Sequence, residues 1–230
     1  MSHRCCSLRS LVICAVVFAT PARDLAAVEC HLEKADGLPA ELAPAISKEL
    51  NAAHIKLRLD SDDFCELWLA KTWKCRVEAA GASSPASVSL PMEAGSLVGA
   101  IRLAHACYDL RDQEIPAGVY TLRYAIQPDI EAHKDSHECR DFVLLVAASS
   151  DKSLDRIADQ DKVIAMSADS IVSTHPAFLP LLPVAKPGND PSVRRDPRDS
   201  SGWLLQVHGK DDAGKTMSIE LILLHAKTGG

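Results

Sequence analysis

Between Pro116 and Pro128 the chain alternates without a slip: Tyr120, Leu122, Tyr124 and Ile126 fall on one side, Thr121, Arg123 and Gln127 on the other. A period of two belongs to a strand with one face on a core and one toward water. Pro116-Ala117-Gly118 and Pro128 punctuate its two ends. The same reading extends to other stretches. Ile55, Leu57 and Leu59 alternate within His54–Leu59. Phe64–Trp73 and Leu97–Leu103 read as further strands. Phe142–Ala147 is apolar on both faces and reads as a central strand. Trp203, Leu205 and Val207, then Met217, Ile219, Leu221 and Leu223, form a hairpin turned at Gly209–Gly214.

Helical periodicity is confined to two places. Leu42, Ile46 and Leu50 recur every four residues within 39–52, and Asp151–Ser170 carries Leu154, Ile157, Val163 and Ile164. Residues 79–96 read as a long loop with room for a short strand at Val88–Leu90. Pro176, Pro180 and Pro183 break the pattern after the second helix, and 185–202 reads as a charged, Pro-rich loop. Strands at short spacing with peripheral helices predict a mainly β fold. The expectation is an antiparallel β-sandwich with one or two short peripheral helices, with a closed barrel as the alternative.

The N-terminus reads as a targeting segment. Arg4 and Arg9 precede an apolar run, Leu11–Phe18, that is too short to span a bilayer; small residues Ala19, Thr20, Ala22, Ala26 and Ala27 follow. This order predicts a signal peptide over 1–27, cleavage between Ala22 and Val28, a secreted or periplasmic location, and one domain over 28–230. Cleavage would remove three arginines and one aspartate from 25 basic and 31 acidic residues, taking the net charge from −6 to −8. An acidic chain with no basic face argues against a nucleic-acid partner. No second apolar stretch approaches membrane-spanning length, so the mature chain is expected to have no transmembrane segment.

Three stretches carry a resemblance: Cys65-Glu-Leu-Trp-Leu-Ala-Lys71, Ile115-Pro-Ala-Gly-Val-Tyr-Thr-Leu-Arg-Tyr-Ala-Ile-Gln-Pro128 and Arg140-Asp-Phe-Val-Leu-Leu-Val146. With Thr174-His175-Pro176, they resemble a group of uncharacterised secreted proteins of environmental bacteria, planctomycetes and acidobacteria among them. The resemblance implies export and a β-rich fold. It implies no activity, since none is established for the group, and no catalytic residue.

Candidate chemistry concentrates in two loops. His133 and His137, at i and i+4, could bind zinc or copper with His105 from another loop; that reading makes the chain a metal-binding protein or a metal-dependent hydrolase. Asp109, Arg111, Asp129, Arg140 and Asp141 would form a binding surface if the loops holding 105–112 and 129–141 converged at one end of the fold, with Arg123 and Gln127 extending it. Five cysteines remain after cleavage, and the simplest pairing is Cys107 with Cys139 and Cys65 with Cys75, leaving Cys30 unpaired. Gly95-Ser96-Leu97-Val98-Gly99 is not a nucleophile elbow, and no cofactor motif occurs. Trp73, among Lys71, Lys74 and Arg76, is the aromatic expected to be exposed for stacking on a sugar. The leading expectation is a non-catalytic exported domain that binds an envelope protein or glycan.

Overall fold

The computed structural model describes residues 29–76, 90–109, 111–127, 140–184 and 188–223. The chain runs β1 (Cys30–Asp36), α1 (Pro44–Ser47), β2 (Ala53–Leu59), β3 (Asp62–Leu69), β4 (Leu97–Leu103), β5 (Cys107–Tyr108), β6 (Glu114–Ile115) and β7 (Gly118–Ile126). It continues with β8 (Asp141–Ala147), α2 (Gln160–Ser170), β9 (Phe178–Pro183), β10 (Ser192–Asp196), β11 (Asp199–Lys210) and β12 (Thr216–Ile222). Ten strands form one antiparallel sheet in the order β1-β2-β3-β4-β7-β8-β9-β12-β11-β10, and β5 and β6 make a separate small hairpin. The ladder is continuous. The sheet therefore does not divide into the two layers of the expected sandwich; it curls until β1 and β10 lie side by side and nearly closes a barrel.

The inward face follows the alternation. Leu67 pairs with Ile101, Ile101 with Tyr120, Leu122 with Leu145, Tyr124 with Val143, and Leu205 with Leu221. These residues belong to one buried core. At the seam β1 and β10 form no ladder. Lys34, in the inward register opposite Ile55, reaches across to Asp190 (Nζ to Oδ1, 3.4 Å), and Arg195, in the inward register opposite Trp203, lays its guanidinium over that indole at 3.9 Å. Inward-register cations and the bulge at Arg195/Asp196 are devices that keep sheet edges from pairing with other chains.

After β3 the chain crosses the barrel end. The Trp73 amide donates to Lys210 O (2.7 Å) and its indole N–H to Val98 O (2.9 Å). The ring lies on Gly209, where a Cβ would come within 2.5 Å of it. Trp73 is thus fully buried, and the expected exposed stacking platform is instead a plug.

Both helices are shorter than the periodicity predicts. The first is the single turn α1, which carries Ile46 into the core. The second begins only at Gln160, where Asp159 caps the amides of Asp161 and Lys162. Residues 151–157 are instead an irregular strap on the outer face of β7, next to Gly95. Gly95 and Ile157 exchange a backbone bond (Ile157 N to Gly95 O, 3.2 Å), and a Cβ on Gly95 would lie 1.8 Å from Ile157 O. The helix ends in a Schellman turn: Val172 N donates to Asp169 O and Ser173 N to Ala168 O. Val172 occupies the left-handed position usually given to glycine (φ 52°), with its side chain 96% exposed.

Two stretches read as loops are strands. β9 holds Pro180 and Pro183 inside the sheet. Its ladder to β8 covers 178–181 and its ladder to β12 covers 181–183, so Pro180 has a strand on one side only and its missing donor breaks no ladder. β10 arises within the charged stretch, where Arg194 makes a bidentate pair with Glu220 across β11. The expected short strand at Val88–Leu90 falls mostly outside the described residues.

Candidate functional site

The two loops expected to converge leave opposite ends of β7. The connection holding His105, Asp109 and Arg111 precedes β7, and the one flanked by Gln127 and Arg140 follows it. The nine residues of that strand hold the two ends roughly 30 Å apart. Asp129, His133, His137 and Cys139 lie outside the described residues. Among the described residues no group of three or more His, Cys, Asp or Glu is placed to hold a metal.

At the first end the candidates are structural. Asp109 is buried and organises its own turn: Oδ1 accepts from the amides of Arg111 (2.8 Å) and Gln113 (3.1 Å), and Oδ2 accepts from the Gln113 side chain (3.3 Å). Arg111 donates to Pro176 O (2.7 Å) and stacks on Phe178, and Ser173 donates to Gln113 Oε1 (2.6 Å). The β5–β6 hairpin is thereby tied to the 173–178 segment. His105 is exposed beside it.

The outer face of β7 is not a solvent surface. Arg123 is fully buried beneath the strap. Its Nε and Nη2 engage Asp151 at 2.8 and 2.9 Å, and its remaining donors reach the carbonyls of Gly95, Asp155 and Ser153. Thr121 donates to the same carboxylate at 2.5 Å. Nearby, α2 lays Val163 on Ala125, Leu144 and Val146.

The second end carries a different kind of group. Asp141 is buried at the start of β8 and accepts from the Tyr124 hydroxyl and the Leu90 amide (3.0 Å). Arg76 donates to Leu90 O (2.7 Å) and Arg140 to Gln127 O (3.2 Å). Burial pushes the Asp141 carboxyl above its ordinary range, against the hydrogen bonds and the arginines Arg76 and Arg140, and burial likewise raises Tyr124. Arg76 is exposed on the same rim and Arg140 is half-exposed, whereas the Lys74 ammonium is held by Asp212 (Nζ to Oδ1, 3.0 Å). A buried acid with a displaced pKa beside exposed cations makes this rim a candidate site.

Cys30, Cys65, Cys75 and Cys107 are free thiols. The expected Cys65–Cys75 bridge is not made: Cys65 lies in the core between Leu57 and Leu103, while the Cys75 thiol meets Met217 at 3.5 Å. Cys107 hydrogen-bonds His105 O (3.4 Å), and its expected partner Cys139 is among the residues not described.

A third cluster, unsuspected from sequence, lies on the outer face of β10–β12. His208 and Ser218 are cross-strand partners with Nδ1 and Oγ 2.7 Å apart, and His208 Nε2 lies 3.2 Å from Asp190 O. The signal available was their register in the hairpin, which the turn at 211–215 sets.

No protein-family model, curated protein or solved structure matches the chain. Among the described residues no helix is long and apolar enough to cross a membrane.

Proposed function

We propose that this chain is an exported, non-catalytic β-domain of the secreted group it resembles, and that it binds a protein or glycan of the cell envelope through the rim around Asp141. The reading rests on how the polar groups are used. The inward face is filled by apolar side chains, and the buried polar groups of the Asp109 turn and the Arg123 strap are satisfied by the fold itself. The Asp141 rim is also bonded within the fold, through Tyr124 and Leu90, but among the described residues it alone sets a buried acid of raised pKa beside Arg76 and Arg140 at the solvent edge. Free thiols are compatible with an oxidising compartment here. Burial pushes Cys30 and Cys107 up to about 11 and Cys65 well above its ordinary value, so little of the reactive thiolate forms.

Co-sedimentation of the mature protein with isolated cell envelope tests the reading. Saturable retention is expected, reduced by Arg76→Ala with Arg140→Ala in protein that still unfolds cooperatively. Protease treatment of the envelope separates the two ligand classes, since a glycan target survives it. Retention unaffected by the rim variants overturns the assignment of the rim. An intact mass that still includes Met1–Phe18 in exported material overturns the signal peptide.

A further inference from the structure

On the outer face of the β11–β12 hairpin a hydroxyl, an imidazole and a carbonyl stand in a row. Ser218 Oγ is 2.7 Å from His208 Nδ1, and His208 Nε2 is 3.2 Å from the Asp190 carbonyl oxygen. Nε2 has two neighbours: the Asp190 carbonyl, which can only accept, and the Gln206 amide nitrogen at 3.5 Å. The closer carbonyl contact favours the tautomer with the ring proton on Nε2. In that tautomer Nδ1 is the lone-pair nitrogen and Ser218 donates to it. That is the arrangement of a hydroxyl with a general base whose tautomer is fixed by a third group. Here a backbone carbonyl takes the orienting place that a carboxylate fills in serine hydrolases.

Two strands and a turn build the row. His208 and Ser218 face each other across the ladder. On its other side the Asp190 carboxylate meets Lys34 of β1 at 3.4 Å in an exposed ion pair. The preceding turn packs close enough that a Cβ on Gly188 would touch both the Gln206 amide and Asp190 O. Both reacting side chains are half-buried, which leaves an approach for a small electrophile.

We propose that Ser218 is an acyl-accepting nucleophile activated by His208, a site separate from the Asp141 rim and independent of the envelope-binding reading. With an aryl ester the Ser218 Oγ–acyl carbon bond forms and the ester bond to the phenolate breaks. The hydroxyl proton passes to His208 Nδ1 and from there to the departing phenolate or to water. The product is an O-acylated Ser218.

The probe is p-nitrophenyl acetate, with diisopropyl fluorophosphate as a second electrophile, on the folded full-length mature protein. Peptide mapping should place one dominant adduct on Ser218 with each reagent. His208→Gln should slow its formation by about 100-fold or more, the lower range for loss of a general base, and Ser218→Ala should abolish it. Labelling of Ser218 no faster than that of other serines, or unchanged in folded His208→Gln, overturns the proposal and leaves a structural cross-strand hydrogen bond. Should His208→Gln fail to fold, the map of the unmodified protein decides alone: an adduct elsewhere, or none, overturns it.

Discussion

Arg123 and Tyr124 are neighbours on β7, they point to opposite faces, and each meets a buried aspartate. Asp151 receives a guanidinium in bidentate geometry plus the Thr121 hydroxyl. Asp141 receives a neutral phenol and one amide. Burial acts on both carboxyls, but only the first has a buried counter-charge. A charge removed from water is tolerable when paired and hydrogen-bonded, and otherwise the group holds its proton more tightly. The outer site therefore fastens the strap, and at the inner one burial raises the Asp141 pKa.

Breaking the fastener should have the largest effect. Asp151→Ala leaves the Arg123 guanidinium buried without its partner and should cost about 3–5 kcal/mol in urea unfolding, whereas Arg123→Met combined with Asp151→Leu should recover most of that loss. If the double variant is as unstable as the single one, the strap depends on more than charge pairing. Leu122→Ala, on the inward face, should cost about 2–5 kcal/mol. Thr121→Ala, expected to be silent if the outer face were solvated, should cost about 1–3 kcal/mol through its bond to a buried carboxylate. A silent Thr121→Ala would mean that the strap is detached in solution.

At the end of α2, beyond the strap, the sign reverses. Val172→Gly relieves a left-handed β-branched residue whose side chain touches little, and should stabilise by about 1 kcal/mol; a fall in melting temperature would show that the exposed valine has a partner. The gentlest test is a slope. Because the Asp141 pKa is raised in the fold, the native state binds its proton more tightly than the unfolded chain. That contribution to stability is fully present below the unfolded pKa and is lost as pH rises through the folded value. Asp141→Asn should remove this component of the pH dependence and leave the opposite one from Asp196, whose carboxyl is held low chiefly by Arg198 and which stabilises above the unfolded pKa. Identical urea midpoint curves against pH for the two proteins would refute the raised pKa.

What was legible in the sequence was local. The alternation at 118–126 gave both the strand and its inward set, and Leu97–Leu103 and the closing hairpin fell where expected. Arg123 misled because a charged residue in alternating register reads as solvent-facing, and only the strap supplies its partners. Trp73 misled for the converse reason: its charged neighbours stay exposed while the ring turns under Gly209. β9 was hidden by prolines that offset ladders accommodate, and β10 by charges that pair across the sheet. The separation of the two candidate loops needed no structure at all, since connections that flank one strand leave from its opposite ends. The His208–Ser218 pair required the hairpin register, which hydropathy does not carry.

β12 comes last among the described strands yet lies between β9 and β11 rather than at an edge. During synthesis β9 therefore keeps an open side until residues 216–222 have left the ribosome, long after its other neighbour β8 is available. A nascent chain stopped before that point has no finished wall. Completion of this sheet therefore waits until the chain has been made through residue 222.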